Sequence, residues 1–165
     1  MNTSLVSLAS LLRSYESMTP QVRVAAVIAR KGQILVVEHR KRETSYWVLP
    51  GGRLESGETL SAALKRELKE ELALTAEVGP LLAVYETLAP DRHTVNLAFR
   101  VEVGLAAPRI DASDEVLASW RWMEVGELRR VDFRPPLGQV LSEMMAEAFG
   151  GPVRMLGDTW TPADR

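Results

Sequence analysis

Cysteine is absent from the 165-residue chain, so neither disulfide bonds nor thiolate metal sites contribute to its structure. Only two histidines are present, which argues against a metal site built from several imidazole rings. Any bound metal is therefore expected to have oxygen ligands, which are the ligands that hard cations such as Mg²⁺ or Mn²⁺ prefer.

The chain also lacks a large excess of charge, since 20 basic and 22 acidic residues give a net charge of −2. Proteins that bind a nucleic-acid backbone usually carry a basic excess, so no nucleic acid is expected as a partner. No apolar run approaches the ~18 residues that a membrane-spanning helix needs, so no membrane association is expected. We expect the protein to reside in the cytoplasm.

The length and composition suit one domain, which we place at residues 21–150. An amphipathic segment at residues 1–20 precedes it, and an irregular tail at residues 151–165 follows it. The first segment carries apolar residues at helical spacing: Leu5, Leu8, Leu12 and Tyr15. This stripe is predicted to pack on the chain's own core, and a subunit contact in a homodimer is the alternative.

Apolar, β-branched residues predict a buried strand at 22–29 and a returning strand at 34–38, joined as a hairpin by Lys31–Gly32. A polar loop is expected at 39–43. Residues 59–72 have the period of a helix, for which Thr59 and Ser56 are both plausible N-caps. Further strands are predicted at these ranges: 76–78, 81–87, 94–103 and 119–125. A second helix is expected after Pro135–Pro136. The fold class is therefore α/β (α+β), with a mixed sheet covered by helices.

The first helix carries a cluster of three glutamates. Glu67, Glu70 and Glu71 fall within about 100° of one another around its axis. Glu67 and Glu71 are four residues apart, a spacing at which like charges destabilise an isolated helix. A divalent cation would offset that repulsion. Taken alone, the cluster is more typical of a solvated acidic face relieved by Lys65 and Lys69.

The residues around the cluster change that interpretation. From Gly52 to Leu74 the sequence is G-x5-E-x7-R-E-L-K-E-E-L-A-L. This segment resembles the Nudix box, G-x5-E-x7-R-E-U-x-E-E-x-G-U, in which U is a bulky aliphatic residue. The fixed positions that match are Gly52, Glu58, Arg66, Glu67, Glu70 and Glu71. The preceding residues, WVLPGG, also resemble the family's approach to the box. The chain therefore resembles the Nudix (MutT-like) hydrolase superfamily.

One position departs from the family pattern, because Ala73 stands where the box has glycine. That glycine serves a left-handed turn after the helix. If this chain keeps the turn, alanine costs about 1 kcal/mol. The alternative is a helix that ends one or two residues later.

The resemblance implies the Nudix fold, in which a mixed β-sheet lies between helices in an α/β/α arrangement. It also implies Mg²⁺ as the cofactor, with Mn²⁺ as a substitute. The metal ligands that it implies are Glu67, Glu70, Glu71 and Gly51. Glu58 then supports the site, and Arg66 orients the carboxylates through charge-assisted hydrogen bonds.

A general base must take a proton from the attacking water, and its position varies within the family. A box glutamate, Glu70 or Glu71, is one candidate. The other is Glu115, which precedes Trp120-Arg121-Trp122 and resembles the family's later acidic residue. An exposed loop carboxylate is the alternative interpretation of Glu115. The catalytic set is thus predicted as Glu70, Glu71, Arg66 and Glu115.

Substrate contacts are expected from the segment between the first hairpin and the box. The candidates for binding phosphate or ribose are His39, Arg40, Lys41 and Arg42, although a solvated charge run is the alternative. Trp47 is a candidate for stacking on a base, as are Tyr85 and Phe99. Aromatic residues in such strands more often pack in the core.

The resemblance implies hydrolysis of a nucleoside diphosphate linked to another group. Pro90 lies close to the position where ADP-ribose pyrophosphatases of the family often carry a proline. This favours ADP-ribose or a nucleotide sugar as the substrate. Two alternatives remain, a nucleoside triphosphate pyrophosphohydrolase of the MutT type and a binding module that senses a nucleotide without cleaving it.

Overall fold

The structure is a computed structural model, and it describes residues 19–41, 43–110 and 116–160. The described residues form eight strands, two α-helices and one short 3-10 helix. In chain order these are β1 (Gln21–Val27), β2 (Ala29–Arg30), β3 (Gln33–Lys41), β4 (Thr44–Val48), α1 (Leu60–Leu72), β5 (Ala76–Ala89), β6 (Arg92–Val103), β7 (Leu117–Glu124), the 3-10 helix (Glu127–Arg129), α2 (Gly138–Ala146) and β8 (Arg154–Asp158).

The amphipathic stripe at Leu5–Tyr15 lies outside the described residues. Its helix, and the homodimer contact considered for it, therefore stay predictions. None of the helices that the structure describes is long and apolar enough to cross a membrane.

The strands form two four-stranded sheets rather than one. The first has the order β1-β6-β5-β8, in which β5 and β6 are antiparallel and the two outer pairs are parallel. In the second, β3 pairs antiparallel with β2, β4 and β7. The predicted mixed α+β class is confirmed. The prediction of a single mixed sheet is wrong, because the strands form two sheets.

Two hydrophobic cores lie on opposite faces of the sheets. Successive residues of a strand point to opposite faces, so β1 contributes to both cores. Val24 and Ala26 pack in the core that includes α1, whereas Ala25 and Val27 pack in the core that includes α2. The predicted α/β/α layering is therefore confirmed.

The first hairpin forms only in part. The turn Lys31–Gly32 joins β2 to β3 as predicted, but β2 contains only Ala29 and Arg30. The longer strand β1 pairs in parallel with β6, more than 60 residues along the chain. The prediction that 22–29 pairs as a whole with 34–38 is wrong, because local spacing does not reveal a distant parallel partner.

Two segments predicted to be irregular contain strands. His39, Arg40 and Lys41 continue β3 and pair with β4, so no polar loop spans 39–43. The tail at 151–165 contains β8, which pairs in parallel with β5. The sheet therefore includes residues beyond position 150, the predicted end of the domain.

Helix α1 has well-defined ends. The Thr59 hydroxyl accepts a hydrogen bond from the Ala62 amide at 3.1 Å, so Thr59 and not Ser56 is the N-cap. The helix ends at Ala73, which is left-handed with φ of 55°. The chain therefore keeps the turn that the family makes with glycine.

Candidate active site

The loop before α1 is hydrogen-bonded along β1. The Val24 amide donates to the Gly52 carbonyl and the Ala26 amide to the Pro50 carbonyl, both at 2.9 Å. The Leu54 amide donates back to β1 at 3.0 Å. These bonds cover the edge of β1 that faces away from β6 and fix the loop against the sheet.

Two consecutive glycines let this loop approach its neighbours closely. Gly51 has φ of +135°, and a Cβ there would overlap the Val24 carbonyl. A Cβ on Gly52 would overlap the Glu67 carboxylate. The first glycine is thus required by the backbone, and the second leaves room for a predicted metal ligand.

Arg66 holds the carboxylates of α1 in place. Its Nε and Nη2 donate to the two oxygens of Glu58 at 2.7 and 3.0 Å. Its Nη1 donates to Glu67 at 2.9 Å and to Glu70 at 3.1 Å. Nη2 also donates to the Arg53 carbonyl at 3.1 Å, which ties the helix to the loop. The hydrogen bond from Arg66 lowers the pKa of Glu58 below its ordinary value, so this carboxylate stays charged.

Glu71 points to the loop from the next turn. Its Oε2 accepts a hydrogen bond from the Gly51 amide at 3.0 Å. The Gly51 carbonyl accepts from Arg23 at 3.2 Å. Two carboxylates, those of Glu67 and Glu71, therefore meet the same pair of glycines. The side chain of Glu70 is 61% exposed, compared with 15% for Glu67, so Glu70 is open to a ligand.

The carboxylates of Glu67, Glu70 and Glu71 and the Gly51 carbonyl are oxygen donors of the kind that fit a hard divalent cation. In this structure Arg66 hydrogen-bonds to Glu67 and Glu70, and Arg23 hydrogen-bonds to the Gly51 carbonyl. The geometry is partly assembled. Across the part of the chain that the structure describes, no three acidic or histidine side chains converge closely enough to form a metal site. Arg66 lies between Glu67 and Glu70 and donates a hydrogen bond to each. Its positive charge offsets the repulsion between the two carboxylates.

A cavity of about 350 Å³ adjoins the loop and includes Gly51 and Arg53 in its lining. This volume is within the range of small-molecule sites. Four arginines line the cavity: Arg23, Arg53, Arg92 and Arg134. Among the described residues that line it, none is acidic. Such a concentration of one charge attracts an anionic ligand.

Aromatic and polar side chains complete the lining. The aromatic ones are His39, Tyr46, Tyr85, Phe133 and Trp160. Burial raises the pKa of Tyr85 above its ordinary value, so its phenol stays protonated and can donate a hydrogen bond. The Asn96 amide donates to the Tyr85 carbonyl and to the Thr87 hydroxyl, at 3.4 Å each. The guanidinium of Arg134 stacks on Tyr46 at 4.6 Å.

Of the predicted substrate contacts, His39 and Tyr85 line the cavity, and the other described ones lie elsewhere. Arg40 is exposed on β3, and Trp47 is half-buried against the core that includes α2; neither lines the cavity. Arg42 and Glu115 lie outside the described residues, so their roles stay predictions. Phe99 packs in the core that includes α1.

The sequence did not indicate most of the other cavity residues, among them Tyr46 and the four arginines. Tyr46 is next to Trp47, and the alternation of a strand would have offered it as the opposite-facing partner. Arg23, Arg92 and Trp160 carry no such local signal, because the cavity brings them together through strand pairing.

Comparison with known proteins gives a consistent result. The family model described as NUDIX domain matches residues 18–145. Phosphatase NudJ from Escherichia coli (strain K12) is 30% identical over 141 residues, which cover 84% of this chain and 92% of that protein.

Solved structures show the same fold. The solution structure of the E. coli ORF135 protein superposes with a TM-score of 0.68 and 26% identity, and covers 83% of this chain and 96% of that one. The MutT NUDIX hydrolase from Burkholderia pseudomallei gives a TM-score of 0.59 and 29% identity, with 65% and 84% covered. The segment that forms β8 and ends at Trp160 lies beyond the matched residues 18–145.

Proposed function

The chain belongs to the NUDIX domain family and is a hydrolase of pyrophosphate bonds, and from this premise we propose that it cleaves nucleoside diphosphates linked to another group. We propose ADP-ribose or a nucleotide sugar as the substrate and a divalent cation as a requirement. One observation carries the proposal: the arginine-lined cavity shares Gly51 with the loop that Glu67 and Glu71 contact.

The proposed cation is Mg²⁺, with Mn²⁺ as a substitute. Its ligands would be the carboxylates of Glu67, Glu70 and Glu71 together with the Gly51 carbonyl. When bound, such a cation neutralises charge on a diphosphate and makes a bound water more acidic.

The residues of the chain would then divide the remaining work. Arg66 positions Glu67 and Glu70, and Glu58 holds Arg66 through two hydrogen bonds. Glu70 or Glu71 would take the proton of the attacking water, with Glu115 as the alternative base. The water oxygen bonds to one phosphorus, and the bond from that phosphorus to the bridging oxygen breaks. The products are a nucleoside monophosphate and the phosphorylated second group.

The cavity supports a nucleotide as the substrate. Arg23 and Arg53 lie beside the loop, where they would balance the charge of the phosphates. Pro90 lies in the turn between β5 and β6, next to cavity residues Thr87 and Arg92. This position agrees with the preference for ADP-ribose or a nucleotide sugar that the resemblance implies.

A substrate screen tests the proposal. ADP-ribose, UDP-glucose, a dinucleoside polyphosphate and the four dNTPs would each be incubated with Mg²⁺, Mn²⁺ or EDTA, and the products separated by anion exchange. We expect AMP and ribose 5-phosphate from ADP-ribose, or the matching pair from the nucleotide sugar, with either metal only. Faster release of pyrophosphate from a dNTP would favour the triphosphate alternative. Turnover that persists in EDTA would contradict the metal requirement, and no turnover at all would favour the binding module.

A further inference from the structure

The cavity extends from the glycine loop across a whole sheet. Its floor passes in order from the loop at 50–54 to β1, β6, β5 and the segment after β8. Neighbouring strands are about 4.8 Å apart, so the two ends of this floor are separated by roughly 20 Å. A phosphate chain beside Gly51 therefore leaves the far end to another part of the substrate.

Trp160 occupies that far end. The Thr159 amide and hydroxyl both donate to the Glu86 carbonyl at 2.8 Å. Asp158 accepts from the Trp160 amide at 2.9 Å and from the Leu88 amide at 3.1 Å. The backbone of Trp160 is thus fastened to β5, and its side chain keeps 37% of its surface exposed at the cavity.

The two ends of the cavity differ in chemistry. Arg23 and Arg53 lie at the loop end, where they suit phosphates. At the other end Trp160 lines the cavity together with Thr87 and Thr159. A flat aromatic surface stacks on a nucleobase, and a side chain with few rotatable bonds loses little entropy when it does so.

We infer that Trp160 stacks on the heterocyclic base of the substrate, so that the segment after β8 forms the nucleobase subsite. This inference rests on the proposed function. It assigns the nucleobase to the end of the cavity that the phosphates do not occupy. Trp160 lies outside residues 18–145, which match the family model.

Steady-state kinetics on the best substrate of the screen test the assignment. Trp160→Ala is expected to raise KM about tenfold, equivalent to about 1.4 kcal/mol, and to leave kcat within about twofold. Trp160→Phe keeps an aromatic face and should restore most of the affinity. Met155→Ala is the matched control, because Met155 lies on β8 with 75% exposure and does not line the cavity. An unchanged KM in Trp160→Ala, or a Phe variant as weak as the Ala variant, would overturn the inference.

A binding measurement tests whether Trp160 contacts a nucleobase without requiring that the protein hydrolyse the ligand. AMP, GMP, CMP and UMP would be titrated into the full chain while tryptophan fluorescence is recorded, with ribose 5-phosphate as the probe that lacks a base. We expect at least one nucleotide to quench the wild type saturably, ribose 5-phosphate not to do so, and the quench to disappear in Trp160→Phe. If the screen finds no turnover but this quench occurs, the proposed function fails and the inference stands. Turnover with the same quench in both proteins, or with no quench, would overturn the inference alone.

Discussion

The glutamate cluster and the cavity beside it are built in different ways. The cluster, with its supporting residues, lies between Gly51 and Glu71, on one loop and one helix. The cavity takes its lining from β1, β3, β4, β5, β6, the segment before α2 and the segment after β8. The first site is defined by spacing along the chain, and the second only by the pairing of distant strands. We expect the first to control kcat and the second to control KM.

The largest expected effect is at the carboxylates. Glu70→Gln and Glu71→Gln each keep the shape of the side chain but remove a negative charge, so kcat should fall by about 100-fold or more. KM should change far less than in Trp160→Ala, which makes the contrast between the two regions measurable in one assay. Glu77→Gln is the matched control, since Glu77 lies on β5 with a side chain that is 82% exposed.

Full activity in both glutamine variants would show that these carboxylates do not take part in the reaction. A rise in KM alone would place them with the cavity residues, and the division between the two regions would then be wrong.

The two glycines of the loop offer the next test. Gly52→Ala places a methyl group against the movable Glu67 side chain, so activity should fall about tenfold while stability changes little. Gly51→Ala meets the fixed Val24 carbonyl at a φ of +135°, so the free energy of unfolding should fall by about 2–3 kcal/mol. Urea denaturation and turnover would be measured on both.

Gly57→Ala is the control for backbone strain alone, because Gly57 has φ of +88° and no heavy atom near its Cβ position. It should lose about 1 kcal/mol of stability and little activity. If Gly52→Ala were as unstable as Gly51→Ala, the prediction that Gly52 serves the site and Gly51 serves the fold would be wrong.

The smallest expected effect is a gain in stability at the end of α1. Ala73→Gly relieves a left-handed alanine, which should raise the free energy of unfolding by about 1 kcal/mol and Tm by about 2–4 °C. Ala62→Gly, at an exposed position inside α1, should lose about 1 kcal/mol by the ordinary helix preference. Thermal unfolding would be measured for both variants. A change in Tm of the same sign in both would contradict the prediction that Ala73 is strained.

The sequence predicted what is decided by near neighbours. The helix at 59–72 follows from its apolar period, and the box residues follow from their spacing, which a single sequence displays. The choice of Thr59 over Ser56 as the cap and the left-handed turn at Ala73 were left open by the sequence, and the structure decides both.

What the sequence did not predict depends on pairing. Nothing near Gln21–Val27 indicates that its partner is β6 rather than β3. His39 and Arg40 are polar enough to resemble a loop, but the ladder with β4 keeps them extended. The short β8 contains Gly157 and Asp158, both unfavourable in strands, and it forms because it adds to an existing sheet edge. Trp160 was therefore assigned to an irregular tail.

The alternation of β1 between two cores has a consequence for cooperativity. A slip of one residue would exchange the places of Val24 and Ala26 with those of Ala25 and Val27, so both cores would be disrupted together. The same strand donates the hydrogen bonds that hold the glycine loop. A disturbance of β1 that disrupts either core would therefore also disturb the backbone hydrogen bonds that hold the glycine loop in place.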